Sequence, residues 1–540
     1  MKQPPLAVQG SWRPGLTALL ALILCLVALA NGQPFFYPDT PTYLRGAEMG
    51  LSKLAGPGAL KPWLPAPGAS AGASPASATS AEPTAEPPAP AQTARKLKPL
   101  TSVADKVVLA GRSVYYGALL YAGYLAGSNM WLTVAVQALC VAYVLQLLMV
   151  RLWGLRGGQA LAIAAALSLL TPLGLYTGFL MPDVFAPLVI LAAGALAVYW
   201  RQFARGQRWL LAAILLFGLC AHSSHVALAA LLLVLALLAR LFFVRWRALS
   251  GAALLVLAVC IGAAGAAEWA FGKAVTAAMG VPPLRLPHPM ARLIDLGPGT
   301  AYLKQHCPGA GYAACAYVQN FPTAWDDFLF STDPAKGAFA LADAEGKRRL
   351  SGEQLRFVAD VVRFDPLGVT KGVALDVLRQ LGLFRVDVGG YGPSLLAMYE
   401  GRVPDRIYAD MQRSRAGQPW PLNAWLTAAT YAMVLASLGV AVWLRRRAGQ
   451  GAIGGLSAPA QRRLSDFAAV VVAGVVANAV VCAALASSLD RFQARVIWLL
   501  PFMAFSMLAV ARRARLSEAD APAPQRPGPP ADLSIQGVHP

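Results

Sequence analysis

The groups in this chain that could do chemistry lie at the ends of apolar runs. In Tyr37-Pro38-Asp39-Thr40-Pro41-Thr42-Tyr43, two prolines fix the backbone around a single carboxylate. That pattern suits a cap on a helix starting near Pro41, or a carboxylate held as a general base. In Met181-Pro182-Asp183-Val184, Pro182 stops one helix and Asp183 opens the next. Asp183 can cap that helix, offsetting its free amides. His222-Ser223-Ser224-His225 makes a polar turn whose two imidazoles, three apart, can share a helix face. They suit a tight hairpin, a contact to acceptor or phosphate, or a metal. Arg491 and Arg495, in Asp490-Arg491-Phe492-Gln493-Ala494-Arg495, suit pairing with Asp490 or lipid headgroups. Equally, their fixed guanidinium charge could clamp a lipid phosphate.

The elements that must position these groups are membrane helices. Hydrophobic residues make up 57% of the 540 and charged residues 13%, more apolar surface than one soluble core can hide. About ten apolar runs are expected to cross a bilayer: 15–31, 130–150, 157–178, 184–200, 209–221, 225–243, 249–267, 422–443, 466–487 and 496–511. The net charge of +20 comes largely from clusters bracketing these runs, such as Arg201, Arg205 and Arg208, or Arg445, Arg446 and Arg447. Their placement on alternate loops is the positive-inside pattern and argues against nucleic acid as a partner. With those loops inside, both termini are expected to be cytoplasmic, and Asp39, Asp183, His222 and Arg491 all face outward. Residues 113–127, with Tyr115, Tyr116, Tyr121 and Tyr124, are short for a crossing and read as an interfacial helix. Ala28-Leu29-Ala30 also matches a signal-peptide cleavage site. The length of the run and the motif after it favour a retained helix.

The expected organisation is all-α and polytopic. A first helix and external loop (1–55) lead to a disordered Pro/Ala/Ser/Thr linker (56–99) whose composition cannot bury a core. An interfacial helix and further spans occupy 100–267, a mainly helical external domain 268–421, the last spans 422–512 and a disordered tail 513–540. Five cysteines (Cys25, Cys140, Cys220, Cys260, Cys482) belong to spans as small apolar residues. Cys307 and Cys315, eight apart in the external domain, could form a disulfide in an oxidising compartment.

At Asp39 and Tyr43 the chain resembles the C-type (GT-C) glycosyltransferase superfamily, multi-span enzymes that use polyprenyl-phosphate sugars. The likeness is to protein O-mannosyltransferases and lipid A aminoarabinose transferases, whose first external loop carries Asp-Glu-x-x-Tyr. Asp39 matches the Asp and Tyr43 the Tyr, while Thr40 replaces the Glu. The resemblance covers the scaffold to about residue 267 and the last spans. It implies a periplasmic site on a bacterial inner membrane, with Asp39 as base, Asp183 as the second acidic group and a divalent cation admissible near it. Tyr43 is taken as a substrate contact, as are His222 and His225 on the reading of their own turn. Arg491-Phe492, with Arg495, resembles the basic pair that these enzymes place before a late span. The expected partners are a polyprenyl-phosphate sugar, the bilayer and a periplasmic acceptor.

The rival reading is a transporter or lipid flippase. Such proteins commonly show inverted repeats and broken helices with polar groups at the midplane. This chain instead keeps its ionisable groups at helix ends, with no evident repeat. Gly-rich phosphate loops and nucleophile elbows are also missing, as suits a lipid-linked donor.

Overall fold

The computed structural model describes residues 13–56, 58–64, 107–448 and 457–519. Most of the expected 56–99 linker, and the tail beyond residue 519, lie outside the described residues.

Nearly all described regular structure is helical. The first helix, α1 (Pro14–Asn31), is followed by α2 (Thr40–Ala55) and α3 (Val114–Gly127). Next, α4 (Trp131–Gln146) extends through a π-turn to Leu152, and α5 (Gly157–Leu170) precedes a stub, α6 (Leu173–Thr177). Helix α7 (Phe185–Tyr199) has 3-10 turns at both ends. Helices α8 (Arg205–Ala221) and α9 (Ser223–Phe242) form the His222 hairpin, and α10 (Gly251–Met279) follows. The segment between α10 and the next membrane-length helix, called the external part for lying outside the run of span helices, contains α11 (His288–Leu296), α12 (Pro298–His306), α13 (Trp325–Phe330), α14 (Ala344–Phe364), α15 (Pro366–Gly382), α16 (Pro393–Tyr399) and α17 (Asp405–Arg413). The chain then returns through α18 (Leu422–Ala448), α19 (Ala458–Leu485), α20 (Asp490–Ile497) and α21 (Leu499–Ala519). A two-residue parallel pairing joins Leu109–Ala110 to Leu284–Arg285.

Among the described residues, eight units are long and apolar enough to cross a membrane. They are α1, Trp131–Leu152, Pro182–Gln202, α9, α10, Leu422–Arg446, α19 and Asp490–Arg512. A bilayer leaves no water for backbone amides, so long helices of this composition are the form that can span it. Two of the ten expected runs fall short for identifiable reasons. Helix α5 ends after 14 residues, where Thr171 turns extended, and the 17-residue α8 opens with Arg205 and Arg208 in its first turn. Small residues let the helices approach closely: a side chain at Gly474 of α19 would collide with Ile190 of α7.

The bundle has two chemically distinct ends. At one, Thr17 Oγ1 donates to Gln146 Oε1 at 2.5 Å, Arg245 pairs with Asp466 at 2.6 Å, and Trp153 lies between Phe467 and Phe502. The opposite end carries Asp39, Asp183, His222 and Arg491.

The external part differs from a single unit covering 268–421. Helix α10 continues to Met279, past the expected boundary at 267. Residues from Leu286 to Val361 build a separate apolar core around Met290, Phe328 and Phe357. The later segment, including Phe384, Tyr391, Tyr399 and Met411, joins the core of the main bundle instead. Helix α3 is also more embedded than a free interfacial helix, with Tyr116, Leu120, Tyr121 and Tyr124 buried.

Candidate functional site

The site begins with two short loops zipped together. After α1 ends at Gly32, the chain runs extended and Phe35 bridges Phe179 in parallel. Phe35 N donates to Gly178 O, and Leu180 N to Phe35 O, both at 2.9 Å. Glycine is required at 178, because a Cβ there would lie 2.5 Å from Ala28 Cβ. Thr40 Oγ1 adds a 3.1 Å bond to Leu180 O. On the far side, buried Gln137 of α4 accepts from the Tyr116 hydroxyl and donates to Thr177 O and Phe179 O at 2.9 and 3.1 Å. External residues close the top: Phe36 N donates to the Tyr391 hydroxyl at 2.7 Å, and Arg402 donates to Pro38 O at 3.3 Å.

Neither aspartate acts as a helix cap. Asp39 stands at the start of α2 without a side-chain capping bond. Its Oδ1 instead accepts from Arg112 Nη2 at 2.7 Å, and both side chains are only about a quarter exposed (28% and 24%). Asp183 lies in the 3-10 turn before α7, 2% exposed, and receives two guanidiniums. Arg491 holds it through both oxygens, Nη2 to Oδ2 at 2.6 Å and Nε to Oδ1 at 3.2 Å. Arg495 Nη1 is 3.7 Å from Oδ1. Spacing explains the pairing: residues 491 and 495, four apart on α20, share one helix face. Asn478 of α19 braces that helix, donating to Phe492 O and Gln493 Oε1 and accepting from Arg495 Nη2.

The two carboxylates belong to one cluster. The Arg491 guanidinium lies 4.0 Å from the centre of the Tyr37 ring, two residues before Asp39, and 5.5 Å from the Phe179 ring. Tyr43 lies within electrostatic reach of Asp39, Asp183, Arg112 and Arg491 together. Among the directly paired groups three guanidiniums meet two carboxylates, and Asp387 lies within electrostatic reach of Arg491 as a third.

The implied substrate contacts fare unevenly. Tyr43 is 1% exposed and packs edge-on against Tyr116, so it supports the Asp39 segment from beneath and does not face an open site. His222 Nδ1 accepts from Ser224 N at the start of α9, and this partly exposed ring lies within reach of Arg112, Arg491 and Arg495. His225 is fully buried, with Nδ1 bonded to Gly218 O at 2.7 Å. It lies within reach of Asp183 and Arg495 and makes a second layer below them. The Cys307–Cys315 disulfide is present, with Cα atoms 5.5 Å apart.

The donor set does not fit a divalent cation at Asp183. Both oxygens already accept from Arg491, and a cation there would sit among like charges. Among the described residues no three His, Cys, Asp or Glu side chains group as metal ligands.

Two members of the site escaped the sequence reading. Arg112 follows a biased tract and reads as one more basic residue near a membrane. His288 opens α11, stacks on Trp325 at 5.2 Å and lies within electrostatic reach of Asp39 and Arg112. Burial chiefly, with a smaller push from Arg112, holds its pKa down at about 4. A cavity of about 260 Å³ lies beside the cluster, lined by Gln33, Phe36, Trp131 and Arg413 among others, but neither aspartate borders it. Comparison with protein families, curated proteins and solved structures returns no match, so a functional reading rests on these residues and their geometry.

Proposed function

We propose that this chain is an inverting membrane glycosyltransferase. It moves a sugar from a polyprenyl-phosphate donor to an acceptor hydroxyl on the outer face of a bacterial inner membrane. In this reading α5 and α8 also cross, giving ten spans with the cluster outside. The observation that carries it is the joining of Asp39–Arg112 to Asp183–Arg491–Arg495 by the Tyr37 ring. A paired carboxylate beside a cationic cluster suits proton removal from a hydroxyl and departure of a phosphate.

Asp39, through the oxygen not engaged by Arg112, takes the proton of the acceptor hydroxyl. The acceptor oxygen bonds to the anomeric carbon as the bond from that carbon to the phosphate oxygen breaks. The electron pair leaves with the polyprenyl phosphate, and single displacement inverts the anomeric centre. Arg112 and the free edge of Arg491 meet the charge that develops on the leaving group. Asp183 is a positioning residue that aims Arg491 and Arg495, a role that replaces the cation-binding one implied by resemblance.

The test is turnover by the purified full chain in lipid nanodiscs. Asp39→Asn is expected to lose transfer by at least about a hundredfold, the scale of general-base catalysis, at unchanged expression. Full activity in that variant removes the base assignment.

A further inference from the structure

Three segments meet at the cavity beside Phe36. The first is the end of α1, where Gly32 turns left-handed at φ 86°. There Asn31 Nδ2 donates to Gln33 O and Asn31 Oδ1 accepts from Ala416 N, both at 2.8 Å. The second is the α3–α4 turn, in which Ser128 and Met130 both hold left-handed backbone, at φ 57° and 64°. Such angles are costly outside glycine and persist where the surroundings enforce them. The turn sets Asn129 and Trp131 on the cavity wall, with Asn129 Oδ1 accepting from Trp131 N at 3.3 Å. The third is α17, whose Ile407 is buried while Asp410 and Arg413 pair at 2.7 Å within reach of solvent. Ser414, just after it, engages its hydroxyl with Met411 O and Gly417 N.

One lining group is left over. Gln33 is 7% exposed, and its Nε2 is buried without a hydrogen-bond partner among the described residues. A buried amide donor is normally paired, whether by protein, water or ligand. A single water is a small occupant for a cavity of about 260 Å³, which approaches the roughly 300–1,000 Å³ of small-molecule pockets. The lining also specifies chemistry. Among the described residues around it, Asp410 and Arg413 are the charged ones and neutralise each other. Phe36 and Trp131 supply flat apolar surface, while Gln33 and Asn129 supply carboxamides. A lone ion would find no net charge here, and an acyl chain would leave Gln33 unpaired. An uncharged ring with apolar C–H faces and hydroxyls at its edge matches the combination.

We propose that this cavity is a binding site for one uncharged sugar ring. The ring packs on Trp131 and Phe36, one of its oxygens accepts from Gln33 Nε2, and further hydroxyls meet Asn129 and the Asp410–Arg413 pair. Binding itself is independent of the proposed reaction. Which molecule carries the ring rests on that reading. Phe36 belongs to the loop that holds Asp39, yet neither aspartate borders the cavity, so the sugar bound here is not the one that reacts. The acceptor is then a glycan, held by a second sugar residue.

The test titrates the full chain in nanodiscs with methyl glycosides of glucose, mannose, galactose, N-acetylglucosamine and arabinose, reading heat against empty discs. Phosphate and acetate are the anion controls. At least one glycoside should bind saturably. Gln33→Leu, which removes the unpartnered amide at similar volume, should weaken that binding about tenfold while leaving thermal unfolding unchanged. Trp131→Ala should weaken it as well, and Trp131→Phe less. Binding of no glycoside overturns the inference, as does binding of phosphate or acetate in place of sugar. So does an affinity that neither Gln33→Leu nor Trp131→Ala changes. Adding a polyprenyl-phosphate sugar separates the two sources of a ring. Binding of both together supports the acceptor role, whereas displacement of the glycoside assigns the cavity to the donor and overturns that role. A glycoside that binds where no such donor does leaves the sugar site standing and counts against the transferase reading.

Discussion

At residue scale, the site depends on charges that satisfy one another where water is scarce. Asp183 is 2% exposed and Arg491 14%, so removing Arg491 leaves a buried carboxylate with only Arg495, 3.7 Å away. Arg491→Gln should cost about 3–5 kcal/mol of stability, and Asp183→Asn added to it should recover much of that loss without restoring turnover. Thermal unfolding of the two variants in one detergent checks both statements. His288 gives a pH signature. Its folded pKa of about 4 lies below the ordinary imidazole value, so the folded state refuses a proton that the unfolded chain accepts. The neutral ring's contribution is therefore complete above about pH 6.5 and is lost as pH falls toward 4. His288→Gln should flatten stability over that window, measured by unfolding at stepped pH. These roles were unequally legible. Asp39, Asp183 and Arg491 stand out in sequence because charge beside apolar runs is costly and needs a reason. Which guanidinium meets which carboxylate is a tertiary fact, so Arg112 and the Tyr37 platform had no local signal.

At element scale, the helices were legible where length and composition agree, as in α1, α9 and α19. Their lengths were less legible where a polar or extended residue cuts the run: Thr171 ends α5 after 14 residues, and Arg205 and Arg208 charge the start of the 17-residue α8. Each aspartate reads in sequence as a helix cap or as a reactive carboxylate, because capping is the local use of a carboxylate there. Both are drawn to arginines brought by distant elements instead, α20 for Asp183 and the start of α3 for Asp39. The Cys307–Cys315 bridge closes an eight-residue separation in the external part. Chain entropy puts its contribution at about 2.5 kcal/mol. Reduction, or Cys307→Ser with Cys315→Ser, should lower the melting temperature and increase protease nicking of 308–314 first. Unchanged protease resistance would show the clip to be dispensable.

At the scale of the whole molecule, a bundle with one basic end and one mixed-charge end makes a statement about sidedness. In intact cells, Ser223→Cys, at the His222 turn, should react with an impermeant maleimide. Gly206→Cys, among the arginines before α8, should react only after the membrane is opened. Reaction of both from one side would refute the alternation of spans. The division of the external part between its own core and the main bundle was not legible in sequence, because apolar residues in 284–361 and 384–422 look alike until their partners are known. The joined Asp39 and Asp183 clusters are proposed to transfer a lipid-linked sugar. The most direct measurement offers the purified protein in nanodiscs a panel of polyprenyl-phosphate sugars with acceptor extracts, following donor consumption and product anomeric configuration. At least one donor should be consumed, with inversion, and Asp39→Asn should consume none. Consumption of no donor, or equal consumption by the two proteins, would contradict it.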